Sequence, residues 1–379
     1  MTHSERLRRW GQVSSALALQ NDEQLSRAVN GAEQLGTGIG GTTMRLEVAG
    51  HTVFAKRLRL TDLERRPEHR LSTRNLFALP TFCQRNVGSP GVGAWRELAA
   101  HIMTSGWVVS GELENFPLMF HWRELEGAAA PGALPPPAEL ADVPGMVRYW
   151  EHCEAMGQRL RALADASASV VIFMEHLPWT LATWLDTHLA PGAKAAESAA
   201  SLEAACAMVE RGLNIDIPRM NASGLLHGDA HLGNILTDGH RLYFADLGLA
   251  LSDRFALSPA ELQYLNDNAS LDQAYALTKW VNGLVKVWSP TPHTPLERME
   301  LVRRVAQGQA VPLLIPGVPG CVEAAIQRHA PLATLVNDFY VQLHGTGRNA
   351  TYPREGVDRL LSSASASRMH GLNPSAQTT

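Results

Sequence analysis

Apolar positions along this chain follow two different periods, and the change from one to the other marks out its parts. Residues 1–30 are polar with apolar positions at helical spacing, which predicts one or two amphipathic helices capping the domain that follows. From Leu35 to Leu58 the pattern changes. A glycine-dense turn, Gly36-Thr-Gly-Ile-Gly-Gly-Thr-Thr, leads into Met44-Arg-Leu-Glu-Val, then an Ala49-Gly50-His51 break, then Thr52-Val-Phe-Ala-Lys-Arg-Leu. Alternation on both sides of a glycine break predicts a hairpin. Residues 61–93 are charged and then punctuated by Pro and Gly, and read as an irregular insertion. Trp95 to Thr104 has helical spacing, and Trp107 to Leu125 reads as strand. Gly127–Pro144, with Pro135-Pro136-Pro137, reads as a linker or surface loop.

The second half is different. A helix is expected near 146–166, a buried strand at Val170-Val-Ile-Phe-Met, and a helix over Thr180–Leu189. Residues 196–221 are patterned as helix, as are Pro259–Asp267, Leu271–Trp288 and Leu296–Gln307, while Ser362–Thr379 is Ser/Ala-rich and reads as a frayed tail. Strands first and helices afterwards predict an α+β protein with a small antiparallel-sheet lobe and a larger helical lobe. The expected division is a helical extension at 1–30, a sheet lobe at 31–177 with insertions at 61–93 and 126–168, a helical lobe at 178–361, and the tail.

Composition narrows the function. At 379 residues and 45% hydrophobic, the chain has enough apolar material for a core. A net charge of −4 gives no electrostatic reason to expect a nucleic-acid partner. No apolar run approaches the ~20 residues of a membrane span, and the start lacks a signal peptide's apolar region, so a cytoplasmic protein is expected. Cys83, Cys153, Cys206 and Cys321 lie far apart with no C-x-x-C pair, which predicts reduced thiols rather than a disulfide framework. Only four lysines occur, Lys56, Lys194, Lys279 and Lys286, so a lysine in a motif slot carries weight.

The densest chemistry lies in Gly224-Leu-Leu-His-Gly-Asp-Ala-His-Leu-Gly-Asn-Ile-Leu236 and Arg241-Leu-Tyr-Phe-Ala-Asp-Leu-Gly248. The tight Thr237-Asp-Gly-His turn between them predicts a hairpin that gathers Asp229, Asn234 and Asp246 at one edge. Two carboxylates and a carboxamide are hard oxygen donors suited to Mg²⁺, and a carboxylate beside an acceptor hydroxyl can take or orient its proton. These residues resemble the catalytic loop and metal-binding motif of the protein-kinase-like superfamily, which includes protein kinases and aminoglycoside-type phosphotransferases. The resemblance implies a bilobal protein-kinase-like fold and the cofactors ATP and Mg²⁺. It makes Asp229 the catalytic base, Asn234 and Asp246 the metal ligands, and His227 a support for the loop.

The same resemblance extends upstream. Gly36, Gly38 and Gly41 stand before a strand rather than a helix, which disfavours a Rossmann site and fits a loop covering phosphates. Lys56, in Val53-Phe-Ala-Lys56, occupies the slot of the lysine that contacts the α/β-phosphates. Glu97 is the expected helical partner of Lys56, with Glu64 as its competitor. Ile172-Phe-Met-Glu-His-Leu resembles an interlobe hinge, which places Met174 beside the adenine and the backbones of Glu175 and Leu177 on the base edge. Asp272 is a candidate buttress for the catalytic loop.

Departures from the pattern refine the reading. Gly228 replaces the arginine of His-Arg-Asp, and residues 249–258 leave no room for a long activation loop, so switching by phosphorylation of such a loop is not expected. His231 stands where Ser/Thr kinases usually carry lysine. The Asp-x-His spacing resembles aminoglycoside- and choline-type kinases, with His231 as a hydrogen-bond donor to the transferring group. The acceptor is expected to bear a hydroxyl, either a small molecule or Ser/Thr of a protein or peptide, as in lanthipeptide-synthetase kinases. The insertions offer a surface for a partner protein. The alternative is a pseudokinase serving as a nucleotide-binding scaffold, although none of the lysine, base or metal residues is missing.

Overall fold

The computed structural model describes residues 1–85, 88–127, 137–193, 198–291, 293–345 and 347–371. Two helices open the chain, α1 (His3–Ala18) and α2 (Asp22–Asn30), each started by a capping box: Thr2 with Glu5, and Asn21 with Gln24. Then come β1 (Glu33–Gly38), β2 (Gly41–Val48) and β3 (His51–Leu60). They are followed by a one-turn helix α3 (Asp62–Arg65), the long helix α4 (Ala94–Ser110) and β4 (Met119–Glu126). Helices α5 (Ala138–Ala141), α6 (Val143–Tyr149) and α7 (Glu154–Ala164) precede β5 (Ala168–Glu175). The five strands form one antiparallel sheet in the order β1-β2-β3-β5-β4. This sheet with a helical C-terminal part is the α+β organisation expected, and it fits the bilobal kinase-like fold.

Contacts divide the chain into two compact units. One comprises residues 1–177, 224–229 and 243–265; the other comprises 178–223, 230–242 and 266–379. In the first, alternate residues of β3 and β5 face α4. Leu58 and Leu60 meet Val170, Ile172, Met174, Trp95 and Leu98 in one buried cluster. The two inserted stretches have a core of their own, in which Leu79 and Cys83 pack with Leu140, Trp150, Met156, Leu160 and Leu163. The described residues of the insertion, 61–85 and 88–93, therefore contribute to a packed element despite their irregular backbone. In the second unit, Leu271–Trp288, Pro295–Ala306 and the Pro-containing helix Gly320–Gly345 pack together.

Three expectations need correcting. The strand-like reading from Trp107 fails at its start, because α4 continues to Ser110 and stops at Gly111, whose φ of 74° gives the left-handed cap that glycine takes without strain. The tail read as frayed from Ser362 is helical through Gly371, as part of Arg354–Gly371. Buried Val357 and the close approach of Gly356 to Leu335 anchor the start of that helix, and its Ala- and Ser-rich end propagates from there. The helix Gly320–Gly345 was not anticipated at all. Of the proline-rich linker, residues 128–136 lie outside the described residues.

Candidate active site

Lys56 lies on the apolar face of β3, opposite Ile172 on β5, so the strand's own alternation buries its stem. An unpaired ammonium there would be costly. It is doubly paired instead: Nζ donates to Glu97 Oε1 at 2.7 Å and to Asp246 Oδ1 at 2.7 Å. Segments 41 and 190 residues away along the chain thus meet at one lysine. Burial pulls the Lys56 pKa down, but Asp246 and then Glu97 outweigh it, and the net shift is upward. The lysine stays charged.

One ammonium between two carboxylates divides its effect unequally. Burial pushes Glu97 up to about 7, against the pull of Lys56 and with further help from the like charge of Asp246. For Asp246, desolvation acts upward and the Lys56 ammonium overrides it, holding the carboxyl at about 2. The Asp246 side chain is 48% exposed, so solvent screens part of that pull. Its backbone φ of 59° is left-handed, a conformation Asp tolerates better than most residues. Oδ2 of Asp246 has no protein partner among the described residues.

Glu64, the competitor for the lysine, is engaged elsewhere. Its carboxylate accepts from the Ala94 N–H at the start of α4 (2.8 Å) and from Arg159 Nη1 (3.1 Å). Glu97 therefore takes the role of lysine partner by position.

His227 is fully buried and ties the candidate catalytic segment to Ala245, the residue before Asp246. Its Nδ1 accepts from the Asp229 N–H at 3.3 Å, which leaves Nε2 as the N–H that donates to the Ala245 carbonyl at 2.8 Å. Gly228 has φ 80°, and a Cβ there would stand 2.6 Å from the Leu249 carbonyl oxygen. The position that lacks the kinase arginine is one where only glycine fits. Asp229 follows it, half-buried. His231 and Asn234 fall in the second unit: His231 Nδ1 accepts from the Gly233 N–H at 3.0 Å, and the Asn234 N–H donates to the His231 carbonyl at 2.9 Å. Asp272, also in that unit, is buried and accepts from Asn221 Nδ2 at 2.7 Å.

The glycine assignments shift. Gly36 and Gly38 lie within β1 and Gly41 begins β2, so the turn itself is Ile39-Gly40. Gly40 is the glycine nearest the lysine, since a Cβ there would stand 3.6 Å from Lys56 Nζ, whereas one on Gly38 would meet nothing within 4 Å. The motif spacing singled out its neighbours and passed over it.

At the hinge, Met174 is buried between Phe54 and Met119 in register. The Glu175 N–H donates to the Leu118 carbonyl at 2.8 Å, so that N–H is already engaged within the protein. Leu177 follows the strand, half-buried. The Glu175 side chain has a role no motif announced: it accepts from Arg6 Nη2 at 2.7 Å and Nε at 3.1 Å, with the Arg6 side chain wholly buried. Arg6 also donates to the Glu114 and Phe116 carbonyls and lies over the Tyr243 ring. Its only sequence signal is its place on the same face of α1 as Val13 and Leu17. His101, one turn after Glu97, is buried with Nε2 3.9 Å from Glu97 Oε1 and without a hydrogen-bond partner. Burial, and then the Lys56 charge, pull it down to about 3, so it is neutral.

The donors fit Mg²⁺. Taken separately, Asp246 in the first unit has an unshared carboxylate oxygen and Asn234 in the second carries an amide oxygen, each a hard ligand by its own chemistry. Among the described residues no group of three or more His, Cys, Asp or Glu side chains is arranged to hold a metal. A magnesium held by one or two protein oxygens and substrate phosphates needs no such cage. No helix among the described residues is long and apolar enough to cross a membrane.

Residues 139–258 match the model of the phosphotransferase enzyme family APH, which belongs to the protein-kinase-like superfamily. A comparison with curated proteins found no match. The matched segment holds the hinge, Asp229, Asn234 and Asp246 but neither Lys56 nor Glu97. The convergence of those two on Asp246 is therefore independent of the match.

Proposed function

We propose that this chain is an ATP- and Mg²⁺-dependent phosphotransferase that moves a γ-phosphoryl group to a hydroxyl. The observation that carries the reading is the 2.7 Å convergence of Lys56 with both Glu97 and Asp246, at the end of a segment with phosphotransferase sequence character. A lysine shared by a helical carboxylate and a metal-type carboxylate is organised to face the phosphates of a nucleotide.

In this reading Lys56 binds the α/β-phosphates and Glu97 holds its ammonium in place. The backbone of the Gly38–Gly41 turn approaches the phosphates because no Cβ obstructs it. Asp246 and Asn234 hold Mg²⁺, which neutralises phosphate charge when bound. Asp229 orients the acceptor hydroxyl and accepts its proton, and the His227 bond to the Asp229 N–H fixes the loop that carries it. His231 donates to the transferring group. Catalysis is then mainly positioning and electrostatics. The short 249–258 segment and His231 favour a small-molecule hydroxyl over Ser/Thr of a protein or peptide. The cytoplasm, where ATP and free thiols coexist, is the compartment this reading calls for.

The test is incubation with γ-labelled ATP and fractionated lysate, following label into small molecules and into protein. Lys56→Met, Asp229→Asn and Asp246→Asn should each abolish transfer. Nucleotide binding with no transfer to any acceptor fraction would instead identify a pseudokinase scaffold, and unchanged labelling in all three variants would remove the assigned roles.

A further inference from the structure

The first turn of α4, which carries Glu97, is anchored at every residue. The Ala94 N–H donates to Glu64 Oε1 at 2.8 Å, a carboxylate at the positive end of a helix. Trp95 Nε1 donates to the Glu64 carbonyl at 2.8 Å. Arg96 donates to the Thr73 carbonyl and to Glu261 Oε1, each at 2.8 Å, in a fully buried ion pair. Glu97 then meets Lys56. Three of these five bonds come from the first insertion, two to Glu64 and one to Thr73, and Arg159 of α7 in the second insertion bonds Glu64 in turn.

Arg159 is the centre of this arrangement. It is buried, donates to Glu64 Oε2 at 3.1 Å and to the Gly91 carbonyl at 3.2 Å, and lies over the Phe77 ring. Gly91, at φ 66°, is pressed so closely on the Gly248 carbonyl that a Cβ would come within 2.5 Å of it. The brace therefore touches the Asp246-Leu-Gly248 turn as well as α4. It also reaches the glycine turn, because Ile39 at its tip packs on the insertions' hydrophobic cluster. Thr73 Oγ1 also accepts from the Ala256 N–H at 2.8 Å, so the segment after Gly248 is bonded to the same insertion.

We infer that residues 61–85, 88–93 and 137–164 form a built-in brace that presets α4, so that the Lys56–Glu97 pair stands assembled without an activating modification or a partner. Arg159, Glu64 and Arg96 are positioning residues that act through Glu97. This inference rests on the phosphotransferase reading for its functional meaning. A helix that could swing would leave Glu97 without its lysine; here the insertions and residues 256–261 take up that freedom with buried charge pairs. The insertions thus face inward, onto the site.

The experiment pairs amide hydrogen exchange at residues 94–98 with a double-variant comparison of transfer rates. In Arg159→Met, exchange at 94–98 should accelerate about tenfold or more, as expected for local opening of an anchored helix end. Transfer should fall in Arg159→Met and in Glu97→Gln, and the double variant should be no slower than Glu97→Gln, because both changes act on one ion pair. Arg159→Lys, which keeps the charge, should recover part of the rate. It carries the same comparison if the methionine chain does not fold. Phosphatase treatment of the wild-type chain should leave its rate unchanged. Wild-type exchange at 94–98 in the Arg159 variants, multiplicative rate losses in the double variant, or a phosphatase-sensitive rate would each overturn the brace. Exchange is read without nucleotide or acceptor, so it judges the brace even if the wild-type chain transfers nothing, an outcome that counts only against the phosphotransferase reading.

Discussion

The two compact units keep their charges in different places. The first buries ion pairs: Arg6–Glu175, Lys56–Glu97, Glu64–Arg159 and Arg96–Glu261 each have both side chains almost wholly enclosed. In the second, the described pairs lie mostly at the surface, as with Lys286–Asp186, Arg303–Asp338 and Arg354–Asp358, while its helices meet through apolar side chains such as Leu277, Trp280, Ile326 and Val336. A buried pair is a poor way to gain stability, since desolvation consumes most of the attraction. Its consequence is geometric: once one charge is buried, its partner can occupy only one place. The unit that holds Lys56, α4 and β5 in register is the one that carries such pairs.

The comparison can be broken at its strongest point first. Lys56→Met should lower phosphoryl transfer by about 10³-fold or more, the scale of removing a preorganised charge at a transition state, as measured by γ-phosphate release into acceptor. Arg6→Met leaves Glu175 buried and unpaired and should cost about 3–5 kcal/mol by chemical denaturation. Loss of order at the hinge should appear with it as weakened nucleotide binding.

A pH series sharpens the contrast within the site. Glu97, raised from 4.5 to about 7, holds its proton in the folded chain where the unfolded chain has already lost it. Its effect is to reduce stability as pH climbs from about 4.5 to about 7. Asp246, lowered from 3.8 to about 2, acts in the opposite sense: its contribution is present above about 3.8 and lost as pH falls toward 2. Transfer should gain about tenfold per pH unit on the acid side of 7, as Glu97 ionises and completes the pair, and this limb should vanish in Glu97→Gln. The smallest effect belongs to the second unit. Lys286→Ala removes an exposed pair and should change stability by less than ~1 kcal/mol, with transfer unaltered.

Much of the fold was legible because its signals are local. The β2–β3 hairpin, β5, and the helices Pro259–Asp267 and Leu271–Trp288 follow from periodicity and punctuation, whereas β1 lies where the glycines read as a turn. The misreadings fall where local signals are ambiguous. The Trp- and Val-rich end of α4 resembles strand, and a Ser/Ala tail resembles disorder until a neighbouring helix gives it a surface. Arg6 and Arg159 were invisible for a related reason: an arginine at a core position has the same letter as one on the surface, and only its partner distinguishes them.

The sequence by itself singled out the candidate reactive groups. A base, two metal-type oxygens and a lysine must be particular residue types, and His227 through Asp246 sit close enough in the chain for their spacing to be diagnostic. Which carboxylate meets Lys56 was open, because Glu64 and Glu97 both stand near helix starts in charged, amphipathic surroundings. The packing of α4 on β3 and β5 assigned Glu97 to the lysine and Glu64 to the helix end. Contacts between residues 41 and 190 positions apart depend on how whole elements stack, and no local pattern encodes that.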